Sequence, residues 1–242
     1  IIAVGGGAVL DLAKVSNCLH GCENLESSIK NFSYDLKSFC ELVAVPTTAG
    51  SGAEATSNAV MYINKIKYSV EGEKVKPNYI IIDPNLILST PKIIAAASGM
   101  DAIAQSIESL LSKKSTMESV EYSIQSLKYL LPFYEMHINK PNFETAYKMS
   151  MGALNAGKAI NISKTTAPHA VSYPFTSEHG INHGHAVLLT LSDFLKFNFE
   201  NISSAKTNFD LNERYKIIFS SFRVKDTEDL QRKLSSMAKK TG

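Results

Sequence analysis

Histidines are concentrated in one short segment of this sequence. Four of the six lie between residues 169 and 185, namely His169, His179, His183 and His185. His183 and His185 stand at the start of an apolar stretch over 186–191, where the beginning of a helix would direct imidazole rings at a cation. A single histidine in such surroundings reads as an ordinary core residue. Four of them together favour a site for a divalent metal ion.

A second group of polar side chains recurs at helical spacing nearer the amino terminus. Asp101, Gln105 and Glu108 are separated by four and three residues, which places them on one face of a helix. The residues between them are mostly apolar. This pattern has two interpretations: either Asp101 caps the helix and Gln105 is exposed, or the face turns inward and supplies metal ligands.

Three consecutive glycines, Gly5, Gly6 and Gly7, stand between a strand pattern and a helix pattern. Glycine lets the backbone approach a phosphate closely, and the start of a helix offers free N–H groups and a positive dipole end. Asp11 and Lys14 follow within two turns, where they would meet either a cofactor or one another in a surface ion pair. The spacing differs from the dinucleotide fingerprint G-x-G-x-x-G, so a simple tight turn stays a second interpretation.

A loop rich in hydroxyl groups directly follows the apolar strand pattern at 42–45. Thr47, Thr48 and Ser51 lie among glycines there, and together they offer hydroxyl donors and exposed N–H groups. We interpret this loop as a second cradle for an anion or a nicotinamide, with a plain connecting loop as the alternative.

The apolar patterns change character near residue 91. Residues 1–91 alternate strand and helix patterns, with a hairpin around Asn64 and Lys65, which predicts an α/β layer with a largely parallel sheet. Beyond that point only helical patterns follow, and Thr90-Pro91 is predicted to cap and begin the first helix. The predicted helices cover 92–112, 116–136, 143–162, 183–199 and 221–240.

The composition is that of an ordinary globular protein. Of 242 residues 44% are hydrophobic, and a formal net charge of +2 argues against nucleic acid or a membrane surface as a partner. No apolar run approaches the roughly 20 residues that span a bilayer. The three cysteines lack a second ligand pair, which predicts reduced thiols and a cytoplasmic protein. Because the chain opens without Met inside a strand pattern, we expect further chain before it.

These segments resemble, in the same order, the motifs of the iron-containing alcohol dehydrogenase superfamily. Residues 5–14 resemble its pyrophosphate motif G-G-G-S-x-x-D-x-x-K, and residues 46–54 resemble P-T-T-x-G-T-G-S-E. Residues 99–108 resemble the metal-binding helix G-x-D-A-x-x-H-x-x-E. His169 and His183, fourteen residues apart, resemble the two later metal histidines.

The resemblance implies a fold and a ligand set. The fold is a Rossmann-like nucleotide-binding domain over 1–91, incomplete at its amino end, followed by an all-helical metal-binding domain over 92–242, as in dehydroquinate synthase-like proteins. The implied metal ligands are Asp101, His169, His183 and, in the position of the family's remaining histidine, Gln105. An amide oxygen is a neutral and weaker ligand than imidazole, so both iron and zinc stay open.

One branch of the family is more similar than the rest. Residues 164–174 and 180–186 resemble phosphonoacetaldehyde reductase (hydroxyethylphosphonate dehydrogenase) sequences. Lys164, followed by two threonines, offers a cation for a substrate anion, or else is a surface lysine beside a turn. Tyr173 stands where many relatives have a histidine near the nicotinamide. The candidate proton donors are Tyr173, His185 and bound water.

The implied activity is a metal-dependent alcohol dehydrogenase or aldehyde reductase that uses NAD or NADP with iron or zinc. Its substrate would be a small aldehyde or alcohol, with phosphonoacetaldehyde as one candidate, and its assembly a homodimer. The first alternative is a lyase like 3-dehydroquinate synthase, which uses NAD and zinc transiently. The second is a catalytically weak fragment or binding subunit.

Overall fold

The computed structural model describes residues 1–241, which form an α/β part followed by a helical part. In the α/β part the strands are β1 (Ile2–Gly5), β2 (Val43–Pro46), β3 (Asn58–Ile63), β4 (Ile66–Glu71) and β5 (Tyr79–Ile80). Its helices are α1 (Gly7–Cys18) and α2 (Leu25–Lys30). The predicted fold class, an α/β region with a parallel sheet followed by a helical region, is confirmed.

The parallel sheet brings the two predicted cofactor loops together. Its strand order is β1-β2-β5, and Gly5 at the end of β1 is in register with Pro46 at the end of β2. Thr47 N donates to Gly5 O at 3.0 Å, which extends this pairing into the loops. The glycine turn and the threonine loop therefore leave the same edge of the sheet side by side.

The antiparallel pair β3–β4 is the predicted hairpin, with Asn64 and Lys65 both at positive φ in its turn. Such values suit a two-residue turn whose twist matches that of the strands. Lys14 on α1 secures the start of this hairpin: its Nζ is fully buried and donates to the backbone carbonyls of Thr56 and Asn58, each at 2.9 Å.

Up to residue 241, the helical part contains seven α-helices. They are α3 (Lys92–Leu111), α4 (Met117–Asn139), α5 (Phe143–Ser163), α6 (Ala167–His179), α7 (His183–Glu200), α8 (Leu211–Phe222) and α9 (Thr227–Thr241). Short 3-10 turns at Glu73–Val75, Pro84–Ile87 and Ile202–Ser204 complete the connections. Within residues 1–241, none of these helices combines the length and apolar character needed to cross a membrane.

Four predicted helices are confirmed and correspond to α3, α4, α5 and α7. The predicted helix over 221–240 is wrong at its start, because Arg223 adopts a left-handed φ of 56° that ends α8 and separates it from α9. The predicted capping role of Thr90 is also wrong, since Pro91 itself precedes the first helical residue and no side chain within residues 1–241 caps this end.

Helix α6 was not predicted from the sequence, and neither were α2 and α8. Pro168 lies in its first turn, where proline costs no intrahelical hydrogen bond, and Pro174 lies inside it. Gly180, with φ of 69°, ends the helix in the left-handed conformation that glycine adopts readily. His169 and Tyr173 therefore project from a helix and not from a loop.

Helix α3 is the centre of the helical part. Every residue from Gly99 to Leu110 is buried, so this helix is enclosed on all sides by its neighbours. Close approach to α7 depends on Gly184, because a Cβ atom there would collide with the backbone carbonyl of Ala97. Gly184 thus determines how near His183 comes to α3.

Replacing Gly184 with alanine tests this packing. We expect Gly184→Ala to lower the free energy of unfolding by about 1–3 kcal/mol, because backbone must move to admit the methyl group. Chemical denaturation followed by circular dichroism measures the effect. Gly180→Asn is the control, since a Cβ there has nothing within 4 Å and asparagine tolerates positive φ. Equal losses for the two variants would contradict the proposed close contact.

Candidate active site

A cleft of about 790 Å³ runs between the sheet edge, the hairpin and the helices. Gly6, Gly7, Asp11, Thr48 and Ser51 line its α/β side. Asp101, Gln105, Lys164, His169, Tyr173 and His183 line its helical side. Most of the residues predicted from the sequence thus face one common space, large enough for a cofactor and a small substrate.

Three predicted metal ligands converge at the inner end of the cleft. One ligand atom each from Asp101, His169 and His183 lies within 4.8 Å of the others. Asp101 Oδ1 is 3.1 Å from His169 Nε2, and both side chains are almost completely buried. One carboxylate and two imidazoles at this separation suit iron or zinc, and all three side chains line the cleft.

The charges around His169 are unusual for a buried site. Burial by itself lowers the pKa of this imidazole, but the negative charges of Glu108 and Asp101 outweigh it and raise the pKa to about 10. Burial has the opposite effect on Asp101, because it raises the pKa of a carboxyl group. The contacts of Asp101 with His169 and His183 outweigh burial and leave the Asp101 pKa below its ordinary value. The site therefore concentrates negative charge around a position that takes either a proton or a cation.

Gln105 occupies the fourth predicted ligand position. Its Nε2 donates to Ser51 O at 3.3 Å, while its buried Oε1 has no hydrogen-bond partner among residues 1–241. A buried amide oxygen without a partner is costly, and a bound cation or a substrate hydroxyl would satisfy it. The amide also connects the metal ligands to the threonine loop. Its coordination of a metal stays a prediction.

The start of α1 fits a phosphate group. Gly6 and Gly7 line the cleft there, and within residues 1–241 no side chain caps this helix end. A Cβ at Gly7 would lie 2.7 Å from Ser51 Oγ, so only glycine leaves the two loops this close. Free N–H groups and the helix dipole are features that suit an anion, and pyrophosphate binding here stays a prediction.

Two of the predicted cofactor residues have a different position. Gly5 and Thr47 pair through their backbones beneath the cleft and do not line it. Asp11 does line it, but Asp11 Oδ2 accepts a hydrogen bond from Val60 N at 2.9 Å and so also supports the hairpin. Direct cofactor contact is therefore better supported for Gly6, Gly7 and Thr48 than for Gly5 and Thr47.

His185 lies away from the other predicted site residues. Two positions along α7 turn its ring to another side of the helix from His183, and His185 does not line the cleft. His179 is exposed at the end of α6. The clustering of histidines in the sequence thus overstated the number that share one site.

The hairpin supplies site residues that the sequence analysis did not single out. Lys67 Nζ lies 3.4 Å from the centre of the Tyr173 ring, which in turn stacks on the His183 ring with centroids 5.7 Å apart. Glu71 pairs with Lys164 at 3.4 Å across the cleft. Successive side chains of a strand point to opposite faces, so Lys67 and Glu71, four residues apart on β4, lie on the same face. This spacing is visible in the sequence and could have identified the pair.

The helical part and the α/β part both match known families. The model of iron-containing alcohol dehydrogenase matches residues 1–84, and the model of the C-terminal region of the Fe-containing alcohol dehydrogenase family matches residues 95–242. The chain belongs to the iron-containing alcohol dehydrogenase family. The first matched range contains the glycine turn, and the second contains the Asp101–His169–His183 cluster.

Curated relatives of the chain include a reductase and a dehydrogenase. The chain is 30% identical over 207 residues to the phosphonoacetaldehyde reductase of Streptomyces viridochromogenes. This alignment covers 81% of the present chain and 52% of that protein. It is 27% identical to the 4-hydroxybutyrate dehydrogenase of Clostridium kluyveri, over 85% of this chain and 56% of that one. The chain thus spans little more than half the length of these curated relatives.

Solved structures share the fold. Sulfoacetaldehyde reductase from Bifidobacterium kashiwanohense, solved in complex with NAD⁺, aligns with a TM-score of 0.86 at 27% identity. This alignment covers 100% of the present chain and 63% of that one. An iron-containing alcohol dehydrogenase from Thermotoga maritima aligns with a TM-score of 0.82, also at 27% identity, over 98% of this chain and 62% of that one.

Metal binding should stabilise the fold measurably. At a zinc concentration one hundred times the dissociation constant, we expect the free energy of unfolding of metal-stripped protein to rise by about 2.7 kcal/mol. Asp101→Asn should remove most of this gain because it removes the ligand charge, and Gln105→Leu should remove a smaller part. Thermal unfolding with and without zinc measures the effect. His179→Ala, at an exposed histidine outside the cleft, should keep the full gain.

Proposed function

We propose that the protein is a metal-dependent reductase that transfers hydride from NADH or NADPH to a small aldehyde with an anionic end, such as phosphonoacetaldehyde. The observation that carries this proposal is that the Asp101–His169–His183 cluster opens into the same cleft as the glycine turn of α1. The homodimer and the cytoplasmic location belong to the same proposal.

The residues in the cleft indicate what the metal, the cofactor and the protein would each contribute to the reaction. When bound, the metal supplies a Lewis acid for the carbonyl group and the reduced nicotinamide supplies the hydride. Asp101, His169 and His183 would hold the metal, with Gln105 Oε1 as the fourth ligand. Gly6 and Gly7 would receive the pyrophosphate at the start of α1. The nicotinamide would share the rest of the cleft with the substrate.

Tyr173 is the proposed proton donor, because its candidate alternative His185 does not line the cleft. Burial raises the pKa of the Tyr173 hydroxyl, so this group stays protonated at neutral pH. Even with a raised pKa a phenol is a stronger acid than an alcohol, so Tyr173 Oη can supply the proton that the reduced carbonyl oxygen needs.

The anionic end of the substrate would meet lysines at the mouth of the cleft. Lys164 is half-buried, lines the cleft beside Thr165 and is paired with Glu71. Its backbone has a φ of 60°, an uncommon value for lysine, at the residue that ends α5. A doubly charged phosphonate would compete successfully with one carboxylate for the ammonium group.

The first test is oxidation of NADH and NADPH by the whole protein, with phosphonoacetaldehyde beside butanal, before and after chelation and with zinc or iron restored. We expect metal-dependent turnover that favours the phosphonate aldehyde. Lys164→Met should lower kcat/KM for this substrate by about ten-fold, roughly 1.4 kcal/mol, while butanal changes little. Lys113→Met, at an exposed lysine outside the cleft lining, is the matched control.

The other outcomes separate the alternatives. Turnover of butanal with no preference for the phosphonate would keep the reductase and contradict the anion site. No net oxidation of either nucleotide with any aldehyde or metal would contradict the reductase and favour a lyase or a binding subunit.

A pH dependence is expected from Lys67. Burial lowers the pKa of its ammonium group to about 8, even though Glu71 and Asp11 act in the opposite direction. The charge is therefore present at pH 7 and lost above pH 8. We expect the ratio of KM for phosphonoacetaldehyde to KM for butanal to rise roughly two- to five-fold from pH 7 to pH 9.5. This change corresponds to about 1 kcal/mol or less, which is what one partly exposed charge contributes.

Steady-state kinetics at pH 7 and pH 9.5 measures this ratio. In Lys67→Gln the ratio should be high at both pH values and constant between them. A variant that kept the wild-type pH dependence would show that a group other than Lys67 is responsible.

A further inference from the structure

Glu108 is a buried carboxylate on α3 whose two oxygens face different groups. Its side chain is almost fully enclosed, with 1% exposure. Glu108 Oε1 accepts hydrogen bonds from Thr166 N at 2.8 Å and Thr166 Oγ1 at 2.7 Å, and His169 N lies 3.5 Å away. Glu108 Oε2 is hydrogen-bonded to His169 Nδ1.

This arrangement determines which nitrogen of His169 carries hydrogen. A carboxylate only accepts hydrogen bonds, so its contact with Nδ1 requires an Nδ1–H group. The other nitrogen, Nε2, points away from Glu108 and towards Asp101 Oδ1 at 3.1 Å. By the same reasoning the contact with Asp101 Oδ1 requires a hydrogen on Nε2 when no cation is bound. With the Nδ1 hydrogen held by Glu108, Nε2 is the nitrogen at which a cation can take the place of that second hydrogen.

We propose that Glu108 is a positioning residue that holds His169 in the Nδ1–H form and in the ring orientation needed for metal binding. The inference rests on the proposed metal-dependent function. It assigns a role to a residue that neither lines the cleft nor contacts substrate. Mutating a carboxylate that orients a metal-binding histidine in this way typically lowers metal affinity by 10- to 100-fold.

Glu108 has a second, structural task that the experiment must separate from the first. The bonds to Thr166 satisfy donors at the amino end of α6, and a negative charge there is favoured by the helix dipole. These contacts involve Oε1, whereas the tautomer of His169 depends on Oε2. The two tasks are therefore carried by different atoms of one side chain.

Glu108→Gln uses this difference, because glutamine has the same shape but one oxygen and one NH₂ group. The backbone N–H of Thr166 requires the amide oxygen on its side. The NH₂ group then faces His169 Nδ1 and can only donate to it, which places the ring hydrogen on Nε2. In that form the nitrogen that should bind metal carries a hydrogen, so the variant keeps the fold and opposes metal binding.

The experiment measures the affinity of the whole protein for zinc by competition with a chromophoric chelator, and for cobalt by its visible absorption. For Glu108→Gln we expect an affinity 10- to 100-fold below wild type and an altered cobalt spectrum, with a circular dichroism spectrum like that of wild type. Thr166→Val is the matched control, because it removes the Thr166 Oγ1 bond to Oε1 and leaves the His169 contact intact. It should lower thermal stability and keep metal affinity within about two-fold.

The remaining outcomes overturn the inference. Wild-type affinity in Glu108→Gln would show that His169 is oriented without the carboxylate. An equal loss of affinity in Thr166→Val would show that Glu108 acts only through the start of α6. If wild type itself bound neither zinc nor cobalt, the proposed function would fail together with this inference, whereas the first two outcomes leave the proposed function intact.

Discussion

Two ionised carboxylates inside an apolar helix are the constraint on which the rest of the site depends. Asp101 and Glu108 are both buried on α3, and each would be strongly destabilising there without a partner. His169 lies between them and contacts one carboxylate with each ring nitrogen. The beginning of α6 must therefore dock against α3, and this docking closes the inner end of the cleft beside His183.

The α/β side depends on a comparable buried charge. The ammonium group of Lys14 is enclosed between α1 and the segment before β3, where backbone carbonyls of Thr56 and Asn58 accept its hydrogen bonds. Burial lowers the pKa of this group to about 8, since the neighbouring carboxylates do not fully compensate for lost hydration. Lys14 thus holds the hairpin against α1, and this hairpin supplies Lys67 to the cleft. The amino end of α1 lines the same cleft.

The two loops that meet at the cleft and the residue types of the Asp101–His169–His183 cluster could be predicted because they follow from local sequence. Glycines after β1, hydroxyl residues after β2 and the spacing of Asp101 and Gln105 are all visible in short windows. The same local view was wrong about His185, because neighbouring histidines on a helix point to different sides. It also missed Lys67, whose role depends on a hairpin that reaches over the cleft to Tyr173.

The sequence by itself determined the fold class, the loop chemistry and the set of residues able to bind a cation. These properties depend on residue type and on periods of two or 3.6 residues, which act over one strand or one helix. Tertiary structure alone decided that Glu108 contacts His169 and that Lys164 pairs with Glu71. Those pairs lie 61 and 93 residues apart, and only the packing of separate elements brings their atoms within hydrogen-bond or ion-pair distance.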